Sequence, residues 1–211
     1  MAPSFPHTAL KAGEVRLLSL HPGSGSDILS GSLIVTQLDP EHNEIPHYEA
    51  LSYAWGDQTD PDHITLRSSN AGSDVADDGS SLRLPIGRNL AAALRQLRQD
   101  SDTRALWCDL ICIDQQDLEE RAVQVRRMGA IFKHASRVFA WLGPADDHSR
   151  LALCTLSEVA AYIDCTNWDQ FDFSFKMPLK PGAPELLPDG KMELLRDRQQ
   201  WQALHALLSR A

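Results

Sequence analysis

Alternating and clustered apolar positions predict several β-strands in the chain. These segments are residues 14–20, 31–38, 48–55, 105–113 and 137–142. The first is nearly alternating and ends in a Pro- and Gly-containing turn, which is typical of a strand, and we expect it to pair with the second as a hairpin. The runs at 105–113 and 137–142 are compact and apolar, which is typical of strands buried on both faces of a sheet.

Helical periodicity alternates with the later strands. Apolar residues recur at helical spacing after Pro85, at Ile86, Leu90, Ala93, Leu94 and Leu97. Asn89 is the expected N-cap of this helix. A longer helix follows residue 115, and its predicted buried face carries Leu118, Ala122, Val125, Gly129 and Phe132. Its start has the spacing of a capping box between Asp117 and Glu120.

Strands and helices in this order predict βαβ units, whose crossovers place strands 48–55, 106–113 and 137–142 side by side in one sheet. The expected fold is α/β, with a mainly parallel, flavodoxin-like sheet flanked by helices, an N-terminal β-hairpin and a C-terminal helical extension. The expected organisation is a tail at 1–13, a core at 14–144 and a helical part at 145–211. The Ser-, Gly- and Asp-rich tract 68–81 is predicted to be a mobile surface loop.

Charge and composition exclude several classes of partner. Lys and Arg number 20 against 29 Asp and Glu, and the net charge of −9 disfavours both nucleic acid and an anionic membrane surface. No apolar run approaches the roughly 18 residues of a membrane span, and the first residues lack a secretory apolar region, so a cytoplasmic protein is expected. The four cysteines lie in or beside apolar runs, which predicts reduced, mostly buried thiols. No metal site is predicted, because Cys108 and Cys112 lack a second pair at zinc spacing.

Three segments, in this order, resemble the fungal heterokaryon incompatibility (HET) domain: YEALSYAWGD at 48–57, LWCDLICIDQ at 106–115, and EERAVQVRRM at 119–128 running into VFAWLG at 138–143. The resemblance covers about residues 14–144 and, more weakly, the tail. The family usually has Asn-Gln where this chain has Asp114-Gln115. Its pattern also continues beyond residue 208 into an Arg- and Trp-rich segment, so the expectation is that the C-terminal part is truncated.

This resemblance implies an effector domain of heterokaryon incompatibility, which triggers regulated cell death on non-self recognition. HET domains are in turn similar to TIR domains, some of which cleave NAD with a glutamate on the helix before the last core strand. That likeness implies NAD as a substrate and Glu120, or its neighbour Glu119, as the catalytic carboxylate. The alternative is a non-catalytic module that oligomerises and recruits death-signalling partners. Expected partners are other incompatibility or NLR-type signalling proteins and a second copy of the chain.

Further site residues are expected at the carboxyl ends of the strands, where ligands bind in open α/β sheets. Asp109 is the second catalytic candidate, and the nucleotide-binding candidates are Ser52, Tyr53, Trp55, Gly56 and Asp57. Each has a structural alternative. Glu120 could simply close the capping box, Asp109 could accept bonds from backbone amides, and Trp55 could be a core residue at a turn. A Cys108–His134 nucleophile pair is disfavoured, because the sequence shows no oxyanion device.

Overall fold

The structure, a computed structural model, describes residues 7–38, 46–68, 81–160 and 198–209, which belong to two compact units, 1–143 and 144–211. The strands of the first unit are β1 (Glu14–Leu20), β2 (Ser30–Gln37), β3 (Glu49–Tyr53), β4 (Asp62–Ser68), β5 (Ser81–Ile86), β6 (Arg104–Trp107) and β7 (Arg137–Trp141). Its helices are α1 (Arg88–Leu97), α2 (Asp109–Cys112) and α3 (Leu118–His134). The second unit contains α4 (Ser149–Ala160) and α5 (Arg198–Leu208).

The seven strands form one mixed sheet in the order β5-β4-β2-β1-β6-β3-β7. Strands β6, β3 and β7 are parallel neighbours, as predicted. The expectation of a mainly parallel sheet is wrong, because β1 pairs antiparallel with both β2 and β6, and β4 pairs antiparallel with β5. The predicted hairpin is present, but it lies inside the sheet rather than beside it.

Burial explains why the hairpin joins the sheet. In β1, Val15, Leu17, Leu18 and Leu20 are all buried. Apolar residues on both faces of a strand need cover on both sides, which a position in the middle of a sheet provides more fully than an edge. Strand β1 therefore occupies the middle of the sheet, between β2 and β6.

Strands β4 and β5 are elements that the sequence analysis missed. They flank the Ser- and Gly-rich tract and pair antiparallel, from Asp62 opposite Ile86 to Arg67 opposite Ser81. The loop was predicted at 68–81, but its two end residues, Ser68 and Ser81, belong to β4 and β5. Residues 69–80 lie outside the described residues, so the mobility of the tract stays a prediction.

The apolar run 105–113 is only partly a strand, so this prediction is corrected. Strand β6 ends at Trp107, and after the extended residue Cys108 the chain turns into the short helix α2. The Asp109 carboxylate accepts a hydrogen bond from the Leu110 amide at 2.8 Å, which favours this turn. Ile111 and Cys112 are nevertheless buried. A short apolar run predicts burial, but it does not distinguish a strand from a helix.

Helix α3 packs on the sheet through a different face from the predicted one. Leu118 is 66% exposed and Val125 is 52% exposed, whereas Gln124 and Ile131 are buried. Polar side chains decide this orientation. Gln124 donates to the Glu14 carbonyl at 3.1 Å, and Arg127 donates to the carbonyls of Glu14 at 2.7 Å and Gly13 at 2.8 Å, next to the start of β1.

Helix α1 packs as predicted, with Leu90, Ala93, Leu94 and Leu97 buried. Its N-cap is Gly87 rather than Asn89, so that prediction is wrong. In the second unit, α4 and α5 pack through Ala152, Ala203, Leu204 and Leu207. The predicted helices at 151–163 and 192–208 extend into residues 161–197, which are outside the described part. Within that part, no helix is long and apolar enough to cross a membrane.

Candidate functional site

A small cavity opens where the parallel strands β3 and β6 end, at the edge of the sheet where ligands are expected. Its lining comes from β3, from the residues at the end of β6 and from α3, and comprises Leu51, Ser52, Tyr53, Trp107, Asp109, Met128 and Phe132. The cavity volume is about 80 Å³. Trp107 and Phe132 pack edge to face with ring centroids 5.6 Å apart, which makes one wall rigid.

Asp109 is the carboxylate of this cavity. It is positioned because α2 begins at this residue, directly after β6 and Cys108. One carboxylate oxygen accepts from the Leu110 amide, and the other accepts from Trp55 Nε1 at 2.8 Å. These two donors hold the carboxylate in one orientation, and each oxygen keeps a lone pair for another donor.

Tyr53 provides a neutral hydroxyl beside Asp109. The Tyr53 Oη atom is buried next to Asp109 and the Leu110 backbone, and no described residue lies in full hydrogen-bond geometry with it. Burial raises the pKa of this hydroxyl well above its ordinary value of 10.0, and the neighbouring Cys108 and Asp109 raise it further. A buried hydroxyl that its neighbours do not fully satisfy favours a ligand or a water at this position.

Residues 55–57 form the exposed turn after β3. Trp55 is 41% exposed, so the alternative prediction that it is a core residue at a turn is wrong. Gly56 has a φ of 64°, a conformation that glycine adopts without steric cost. Asp57 accepts from the Thr59 amide and hydroxyl, both at 2.8 Å, and these bonds lower the pKa of the Asp57 carboxyl. Asp57 does not line the cavity, whereas the exposed Ser52 does.

Glu120 lies outside the cavity and forms an ion pair with Arg16. Asp117 caps α3 by accepting from the Glu119 and Glu120 amides, each at 3.0 Å. The Glu120 side chain does not complete a capping box, because it binds Arg16 through two contacts of 2.6 and 2.7 Å and accepts from the Asp114 amide at 2.8 Å. The Arg16 side chain is 1% exposed and that of Glu120 is 11% exposed. Glu120 is not among the residues that line the cavity.

Comparisons with known proteins match the part of the chain that contains β3, β6 and α3. The sequence model of the family described as Heterokaryon incompatibility protein (HET) matches residues 48–209. The chain belongs to this family. It is also 37% identical over 151 residues to the Heterokaryon incompatibility protein 6, OR allele, of Neurospora crassa. That alignment covers 69% of this chain but only 21% of the Neurospora protein, so the chain spans a minor part of that relative's length. No solved structure matches.

The matched HET region contains every residue that lines the cavity. It starts after the β1–β2 hairpin, so Arg16, which binds Glu120, lies before it.

The HET region also contains Cys108, which is fully buried, and its thiol pKa is raised by the hydrogen bond with Cys112 and by burial. A protonated, buried thiol is not a nucleophile, which argues against the Cys108–His134 pair. Cys112 is likewise buried and reduced, whereas Cys154 is exposed.

Sequence reasoning missed the contacts of Asn89, which lie near the cavity end of β3. Its side-chain amide donates to the Ala54 carbonyl at 2.7 Å and accepts from Trp141 Nε1 at 2.8 Å. It therefore ties the end of β3 to the end of β7 at the same edge of the sheet. The available signal was an Asn beside the start of a helix, which favours capping. Arg16 and Met128 were also missed, because nothing in their local sequence indicates their distant contacts.

Proposed function

We propose that the chain is the HET module of an incompatibility protein, and that it triggers regulated cell death on non-self recognition. Membership of the HET family and the name of the Neurospora relative support this role. The module acts through the cavity at the ends of β3 and β6, which binds a nucleotide such as NAD. The observation that carries this ligand site is that Asp109 and Tyr53 line one cavity, with the carboxylate beside the buried hydroxyl.

The size of the cavity limits how a nucleotide binds. At about 80 Å³ it is well below the roughly 300 Å³ at which pockets for whole small molecules begin. It therefore holds a single group, such as a ribose, and the rest of the nucleotide lies outside it. The exposed Trp55 indole, which donates to Asp109, offers a stacking face for an aromatic base beside the cavity.

The chemistry of NAD cleavage fits Asp109 better than Glu120. Release of nicotinamide passes through a ribosyl cation, which a nearby carboxylate stabilises. Asp109 lines the cavity, and Tyr53 can donate to a ribose oxygen while it stays neutral. Glu120 is occupied by Arg16, so a direct role for Glu120 requires that this ion pair open.

The test measures NAD binding by calorimetry and nicotinamide release by chromatography. Asp109→Asn should lower the release by about two orders of magnitude, the scale of removing one electrostatic group at a reacting centre. Tyr53→Phe should weaken binding by about threefold to tenfold, the equivalent of one hydrogen bond. Asp102→Asn is the matched control, because Asp102 is exposed before the start of β6, at the opposite end of that strand. Absence of binding and release in the unmodified chain would refute the nucleotide site.

A second candidate function is a non-catalytic module that recruits death-signalling partners. Two observations favour it. The ion pair with Arg16 occupies the Glu120 carboxylate, and the cavity is too small to enclose a whole nucleotide. Cell killing by the full-length protein distinguishes the candidates. Killing that survives Asp109→Asn in a folded protein supports recruitment, and killing that is lost together with nicotinamide release supports catalysis.

A further inference from the structure

Helix α3 exposes an apolar stripe on the side that faces away from the sheet. The stripe consists of Leu118, Ala122, Val125 and Gly129, all of which are exposed. Their spacing of four, three and four residues places them along one line of the helix, in the pattern of a coiled-coil seam. Gln124 and Ile131, which are buried, lie on the opposite side.

The sizes of the stripe residues are complementary when two copies of α3 run antiparallel. In that arrangement Leu118 of each copy faces Gly129 of the second copy, and Ala122 faces Val125. A side chain added at Gly129 would meet nothing within 4 Å, so there is open space at this position for a partner's side chain. Each large residue is therefore placed against a small one, which lets the two helices approach closely.

Charges on the flanks favour the same direction. Glu119 and Arg126 are exposed on one flank of the stripe, seven residues apart. Antiparallel pairing brings Glu119 of each copy beside Arg126 of the second copy, which forms two opposite-charge pairs by symmetry. Parallel pairing would instead place Arg121 of one helix beside Arg126 of the other, and these like charges repel.

We propose that this HET module forms a two-fold symmetric dimer through the α3 stripe, with the two α3 helices antiparallel. One helix face buries less than the roughly 800 Å² per partner of a standard stable interface. The dimer is therefore weak and depends on concentration, so it forms when the full-length proteins are brought together. The proposal does not rest on the nucleotide site, because none of the four stripe residues lines the cavity.

Sedimentation velocity of the chain over about a hundredfold range of concentration tests the dimer, because such a range can span a micromolar Kd. The unmodified chain should shift from monomer to dimer as the concentration rises. Val125→Glu should weaken association by at least about tenfold, because it places two carboxylates in the seam. Ile28→Glu is the control, since Ile28 is 77% exposed and lies in the β1–β2 connection. It should leave association unchanged.

A charge exchange tests the antiparallel direction. Glu119→Arg or Arg126→Glu alone should weaken the dimer by about fivefold, and the double variant E119R/R126E should restore it. Circular dichroism and the unfolding midpoint show that each variant is folded. A chain that stays monomeric, a dimer that survives Val125→Glu, or a double variant without recovery would each overturn the proposal.

Discussion

Replacing Glu120 by Gln should destabilise the fold rather than only remove a charge. The Arg16 side chain is 1% exposed, and its guanidinium donates to Glu120 at 2.6 and 2.7 Å. Its other hydrogen bonds are to the carbonyls of Thr8 and Cys112, which are neutral. The substitution therefore leaves a buried cation without a counter-charge, and it turns an amide donor toward a guanidinium donor.

The size of this effect follows from buried ion pairs in general. Removing one partner of such a pair costs about 3–5 kcal/mol, and the remaining carbonyl oxygen of Gln places the cost near 3 kcal/mol. With a urea slope of about 2 kcal/mol/M, the unfolding midpoint should fall by about 1.5 M. Tryptophan fluorescence can follow this transition, because Trp107 is buried in the same core.

Two further variants isolate the ion pair. Glu119→Gln is a matched control on the exposed side of the first turn of α3, and it should change the unfolding free energy by less than about 0.5 kcal/mol. The double variant R16M/E120Q should be more stable than Glu120→Gln alone, because no buried charge remains uncompensated. A Glu120→Gln protein within about 0.5 kcal/mol of the unmodified chain would refute the reasoning. Loss of cell killing in Glu120→Gln is therefore evidence for catalysis only in a protein shown to be folded.

Three other substitutions test the interactions around the sheet. Arg104 hydrogen-bonds to Glu49 and lowers the pKa of this carboxyl below 4.5, so the pair stabilises the fold above pH 4.5. This contribution is lost as the pH falls through the lowered pKa, and Glu49→Gln should flatten acid unfolding curves in that range. Burial raises the pKa of Tyr48 to about 12, and its hydroxyl donates to the Ile131 carbonyl. Tyr48→Phe should cost about 1 kcal/mol at neutral pH and reduce the loss of stability that begins above pH 10. Gly56→Ala should lower the free energy of unfolding by about 1–2 kcal/mol, because alanine is strained at this positive φ. The added Cβ would approach nothing closer than 3.8 Å, so no steric clash adds to this cost. An unchanged midpoint in denaturant unfolding would contradict this expectation.

Local patterns determined which segments are buried and how three strands are arranged. The α1 stripe at Leu90, Ala93, Leu94 and Leu97 was predicted from periodicity alone, because all four residues pack on one side of a regular helix. The parallel neighbours β3, β6 and β7 followed from helical crossovers, which constrain the direction of the strands that they connect. The three HET-like segments also lie in the part of the chain that the family comparison matches.

Tertiary contacts decided which face of α3 is buried and which carboxylate lies at the cavity. Helix α3 has apolar residues on two sides, so its periodicity could not select the buried one; Gln124 and Arg127 did so by binding the carbonyl groups around the start of β1. Glu120 and Asp109 looked alike in sequence as candidate carboxylates, yet Arg16, 104 residues away, occupies Glu120 while Asp109 remains at the cavity. An ion pair between distant segments leaves no local signal, because its energy depends on the distance and burial that only the assembled sheet provides.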